Sequence, residues 1–208
     1  MPSWSLKENV ARLADLFEQA VALALYIYLV QRILPRSLDY VDFAQALILL
    51  SEGSALLFLF IRKPTTGIST RPADWAAAFA STIIPLLIVR GDAPFLPAIG
   101  FYVILFGLIV QIGAKLSLNR SFGLIAANRG VKTSGAYRYV RHPMYLGYML
   151  THLGFLLAAP RLFNIFIYAA CWAILLIRIE MEERILMQDE AYQKFAEAVR
   201  YRLAPGLY

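Results

Sequence analysis

Six apolar runs, separated by short polar connections, fill most of this chain and leave it few folds other than a bundle of membrane-crossing helices. They lie at 16–34, 43–61, 75–89, 95–116, from 143 to the turn at Pro160, and 162–179. A bilayer core of about 30 Å asks for roughly 20 apolar residues per helix. Composition agrees: 60% of the 208 residues are hydrophobic and only 16% charged, where soluble domains carry about a quarter. The expected fold is an all-α integral membrane protein with about six transmembrane helices, a C-terminal helical hairpin and a cytosolic C-terminal helix. Residues 1–208 read as one membrane domain, with 1–117 a four-helix scaffold and 118–208 a loop, hairpin and tail.

The formal charge of +6 does not point to nucleic acid, because no basic, aromatic-interleaved face exists outside the spans. The basic residues sit in short loops beside apolar runs, where they set orientation and meet lipid headgroups. A six-span topology sorts all 20 Lys and Arg 16 to 4. The poorer side holds only Arg32, Arg36, Arg90 and Arg161. The richer side is then cytoplasmic, and carries both termini. Cys171, the single cysteine, excludes an intrachain disulfide and a thiolate metal site. The first run is expected to be a retained helix, since no small-residue cleavage site follows it.

Ionisable groups concentrate in two cassettes, both on the basic side. The first spans 134–148 and reads SGAYRYVRHPMYLGY. His142-Pro143 suits a helix start, with proline at the first helical position. The next backbone N–H groups then point back at the loop as an anion site, and Arg141 adds positive charge. Gly135 suits a turn, and Gly147 admits a close backbone or ligand. Tyr137 and Tyr145 offer faces for a flat ring. The second cassette, RIEMEERIL at 178–186, places Arg178, Glu182 and Leu186 on one helical face. The turn at Pro160 makes the last two spans antiparallel neighbours. His142 and Tyr145 should therefore lie level with Arg178 and Glu182, roughly 26–33 Å from that turn at 1.5 Å per residue.

The pattern Gly-x-Tyr-x-x-Val-Arg-His-Pro-x-Tyr-x-Gly at 135–147, followed by Arg-x-x-x-Glu-Glu-x-x-Leu at 178–186, resembles the isoprenylcysteine carboxyl methyltransferase family, relatives of the membrane phospholipid N-methyltransferases. The tail residues Tyr192, Phe195, Val199, Arg200, Tyr201 and Arg202 extend the resemblance over about the last 80 residues. It implies a cytosol-facing S-adenosylmethionine pocket on the hairpin, and no glycine-rich dinucleotide fingerprint is present. Carried over by position, Tyr137, His142, Pro143, Met144 and Tyr145 are cofactor contacts, and Glu182 is the acidic cofactor ligand. Residues 129–132, Val131 and Lys132 among them, correspond to a further cofactor strip but depart from the family's residues. Arg178 matches the residue for the substrate carboxylate, with Arg141 and Glu183 completing the catalytic set. No metal is implied.

The activity implied is methyl transfer to a carboxylate of a lipidic or prenylcysteine-like acceptor that enters from the bilayer. A carboxylate needs no general base; an amine or thiol would, with Glu183 or His142 as candidates. The alternatives are phospholipid amine methylation, an NADPH-dependent sterol reductase and a non-catalytic lipid-binding scaffold. Outside the cassettes, Glu52 is an ionisable group at membrane depth, beside Ser51, Gly53 and Ser54, which also fit a helix-packing role. Gln111 is similar and could line the pocket. His152 reads as a packing histidine, and Trp4, Trp75 and most tyrosines as interface anchors. The acceptor and the oligomeric state are not legible.

Overall fold

The computed structural model describes residues 6–34, 40–65, 68–89 and 95–206. Trp4, Pro35, Arg36 and the turn at 90–94 lie outside the described residues. Seven α-helices are described: α1 (Leu6–Ile33), α2 (Tyr40–Ile61), α3 (Pro72–Ile83), α4 (Pro97–Leu118), α5 (Pro143–Ala158), α6 (Leu162–Leu186) and α7 (Glu190–Ala198). Among the described residues, three helical stretches are long and apolar enough to cross a membrane: Asn9–Arg32, Pro97–Ser121 and Leu162–Leu186. Ile48–Ile61 and Pro72–Leu87 are shorter apolar helices. The third apolar run tightens into a 3-10 turn at Ile84–Leu87, where Pro85 removes a backbone donor.

The helices depart from the apolar runs by up to ten residues at their ends. α1 begins ten residues before the apolar run does, because its polar first turns carry Asp15 and, at the run's edge, Glu18 into buried ion pairs. α7 ends at Ala198. The following residues instead lie along the entry to α5, where Arg141 N donates to Tyr201 O at 2.9 Å and His142 N to Arg202 O at 2.8 Å.

The pair α4 and α5 is built on glycines spaced seven apart, Gly100 and Gly107 facing Gly154 and Gly147. A Cβ on Gly107 would stand 2.7 Å from Thr151 N and 2.8 Å from Gly147 O. Backbone approach of this kind suits helices in lipid, where packing and interhelical hydrogen bonds replace the hydrophobic drive. Gly107→Ala is expected to cost about 2 kcal/mol by overpacking, read as a fall of several degrees in the thermal midpoint. Gly113→Ala, whose Cβ would meet nothing within 4 Å, should leave that midpoint unchanged. α5 and α6 are instead spaced by side chains: His152 stacks on Tyr168 at 4.2 Å and accepts from Trp172 Nε1 at 3.2 Å.

A buried polar ladder ties α2 to this pair. Lys115 Nζ donates to Ser51 O and Ser51 Oγ, both at 2.9 Å, and to Glu52 Oε1 at 3.1 Å. Ser51 Oγ donates to Gln111 Oε1 at 3.1 Å, and Gln111 Nε2 to Thr151 Oγ1 at 2.8 Å. The orientation count treated Lys115 as an interfacial positive. Its side chain leans toward the helix N-terminus, as helical side chains do, and is fully buried. Glu52 and Gln111 therefore serve this packing network, and Gln111 does not line the pocket described below.

Candidate active site

The loop at 119–142 enters α5 through Gly135, in the left-handed region at φ +63° that glycine adopts without strain. His142 follows as the N-cap with Pro143 in the first turn, and the first α5 bond is Leu146 N to His142 O at 3.2 Å. The N–H groups of Met144 and Tyr145 precede that bond and are the orphan donors of a helix start.

Three acids on α6 meet three different fates. Glu180 is exposed and pairs with Arg202 Nη1 at 2.6 Å. Glu183 is buried and closed on all sides: it accepts from Arg141 Nε at 2.7 Å, Arg202 Nε at 2.9 Å and Tyr192 Oη at 3.4 Å, with His142 Nε2 at 3.1 Å. Arg141 completes the clamp through Nη1, which donates to the carbonyls of Val199 and Arg200, both at 3.1 Å, just past the end of α7. That corrects the sequence reading of both residues. Arg141 lines the pocket, yet its guanidinium is committed to the tail and does not serve as an open anion site, and Glu183 has no lone pair directed at an incoming proton.

Glu182, about a hundred degrees around the helix, faces the pocket and is the only carboxylate lining it among the described residues. It accepts from the Tyr145 hydroxyl and from Arg178 Nη2 at 3.3 Å, with His142 Nδ1 at 3.8 Å. The His142 and Tyr145 rings lie parallel at 5.8 Å, and the Arg178 guanidinium sits 5.2 Å from the Tyr145 centroid. The expected levelling of the two cassettes across the hairpin is thus met in distance. Burial, with Glu182 nearby, pushes the Tyr137 phenol well above its usual range, so it stays a neutral donor.

Of the residues singled out from sequence, Val131, Lys132, Tyr137, Arg141, His142, Met144, Tyr145 and Glu182 line one pocket. Pro143, Arg178 and Glu183 stand behind its wall. Arg178 is a brace: Nη1 donates to Ser81 Oγ and Nη2 to Leu124 O, both at 2.7 Å. Gly147 admits the backbone of α4 and not a ligand. Tyr192 and Phe195, named only as part of the tail's resemblance, also line it; sequence reasoning missed Gly123, Ile125, Ala126 and Ala127, since small and apolar loop residues carry no chemical signature. Among the described residues no group of three or more His, Cys, Asp and Glu is placed to hold a metal ion.

Residues 95–194 match the phospholipid methyltransferase family. Among solved structures the chain matches the eukaryotic intramembrane Ras methyltransferase, isoprenylcysteine carboxyl methyltransferase. Identity is 20%, the TM-score is 0.54, and the match covers 91% of this chain and 74% of that one. The solved-structure likeness shows a shared fold, and the family match is confined to the segment at 95–194. No curated protein matches the chain by sequence. In this chain the matched segment opens two residues before α4 and closes inside α7. It therefore holds the glycine-paired helices, both cassettes and most of the pocket wall. It leaves outside α1 to α3, with Arg62, Glu18 and Asp15, and the tail residues that clamp onto Arg141.

Proposed function

We propose that the pocket binds S-adenosylmethionine and that the protein methylates a carboxylate on a lipidic acceptor. The observation that carries this reading is the pocket's donor set: one carboxylate, Glu182, beside the His142, Tyr145 and Tyr137 rings and the free N–H groups that open α5. Those groups fit the cofactor's ribose hydroxyls, flat base and carboxylate, respectively. When bound, the cofactor supplies an electrophilic methyl group on a sulfonium. Glu182 holds the hydroxyls, aimed by its bonds from Arg178 and Tyr145. His142, Pro143, Met144, Val131 and Lys132 close the remaining wall and exclude water.

An acceptor carboxylate is ionised at neutral pH and asks only for positioning near 3 Å. Arg178 would take it by exchanging its neutral Ser81 partner for a charged one, a stronger bond for a guanidinium. A second reading, methylation of a phospholipid amine, follows from the description of the matched family. It requires a base, and both groups named for that part, Glu183 and His142, are engaged with each other. The carboxylate reading is therefore preferred. It places 118–208 as the methyltransferase core on a scaffold of 1–117, with six spans, cytosolic termini, donor entry from the cytosol and acceptor entry from the bilayer.

Incubation of the purified protein with membrane lipid extract and methyl-labelled S-adenosylmethionine tests this. Label released as volatile methanol by mild alkali is the expected result. Alkali-stable label in an amine headgroup would replace the ester reading with the second one.

A further inference from the structure

We infer that Glu18 of α1 is a positioning residue for the wall of the methyl-donor pocket, so that a helix outside the matched segment sets the protein's affinity for its donor. The inference rests on the reading of the pocket given above.

Glu18 is fully buried in a long apolar helix, where a carboxylate is tolerated only when paired and hydrogen-bonded. Its Oε1 accepts two consecutive backbone donors of the loop, Leu124 N at 2.6 Å and Ile125 N at 3.1 Å. Its Oε2 lies 2.8 Å from Arg62 Nη1. The Leu124 unit is thus held from both sides, because its carbonyl accepts from Arg178, which also reaches Glu182. Glu18 and the pocket carboxylate are connected through one loop residue and one arginine.

One turn earlier on the same face of α1, Asp15 accepts from Arg62 Nη2 at 2.5 Å and from Arg129 Nη2 at 3.3 Å. Arg129 is itself part of the pocket wall, as are Gly123 and Ile125. Both ends of the wall segment at 123–129 are therefore fixed to α1, at positions 15 and 18. Among the described residues the segment has no helix of its own and one isolated bridge, Ile68 to Ala127, with Ser69 N donating to Ala126 O at 2.9 Å and Thr65 Oγ1 to Asn128 O at 2.7 Å. A long irregular connection of this kind takes its shape from side-chain anchors. Releasing the anchor should let Ile125 and Gly123 shift against the donor while the α5–α6 groups around Glu182 stay in place.

The test is titration with S-adenosylhomocysteine, with steady-state kinetics, on wild type, Glu18→Gln and the Glu18→Met/Arg62→Met pair. The pair removes both buried charges together, an exchange that folds tolerate. Each variant is expected to bind about tenfold more weakly and to raise KM for the donor by the same factor, with kcat within about twofold. A folded variant that binds within twofold of wild type overturns the inference. Failure of the wild type itself to bind would instead overturn the methyl-donor reading. Should the variants not fold, hydrogen exchange on the wild type decides: the Leu124 and Ile125 amides should be strongly protected without ligand, and exchange at the open-chain rate there refutes the anchor.

Discussion

Glu182→Ala should abolish measurable binding of S-adenosylhomocysteine while leaving the protein folded. The pocket has no other carboxylate among its described lining residues, so nothing nearby can take over bonds to sugar hydroxyls. Charge-assisted hydrogen bonds contribute about 1.5–3 kcal/mol each, and losing the pair to the two ribose hydroxyls corresponds to roughly a 100-fold or greater fall in affinity. The fold should survive, because Arg178 retains Ser81 and Leu124 as partners. Calorimetric titration of the variant checks this, and undiminished affinity would remove Glu182 from the site.

Glu183→Ala, a change one residue away, should have the opposite profile. Glu183 neutralises Arg141 and Arg202 together and bonds His142 and Tyr192. Its removal leaves two guanidinium groups facing each other around a buried void. Breaking a buried pair by deleting one partner costs about 3–5 kcal/mol, which corresponds to a fall in thermal midpoint on the order of 10 °C for a chain of this size. The tail past Ala198 should detach from the α5 entry, seen as faster exchange of the Arg141 and His142 amides that donate to Tyr201 O and Arg202 O. Glu180→Ala, which removes only an exposed pair with Arg202, should stay within about 1 kcal/mol of wild type. A similar small loss for Glu183→Ala would show that the clamp does not hold the tail.

The hairpin contact was legible in sequence because it depends on arithmetic. Helical rise and one tight turn at Pro160 suffice to bring His142 and Tyr145 to Glu182. The helix start at Pro143 was legible for a similarly local reason, since proline suits a first turn, whereas α3 and α4 open at Pro72 and Pro97 and not at the expected 75 and 95. What sequence could not assign was the partner of each charge. Asp15, Glu18, Arg62 and Arg129 come from three separate segments, and nothing in their spacing tells a buried cluster from loop charges that orient the chain. Lys115 misled in the same way: a lysine near a helix end reads as interfacial until its tilt carries the ammonium inward to Ser51. Arg141 resembled an anion ligand because the tail that occupies it lies some sixty residues away along the chain.

The glycine contact between α4 and α5 also restricts how a greasy molecule could arrive. Where Gly107 and Gly147 touch main chain to main chain, no slot exists for an acyl or prenyl tail, and opening one would separate the ladder from Ser51 to Thr151. The boundary of α5 with α6 is filled by rings, which can turn aside without unpairing any backbone. Hydrocarbon diffusing in the plane of the bilayer would thus find one flank of α5 shut and the other gated by Tyr168 and Trp172.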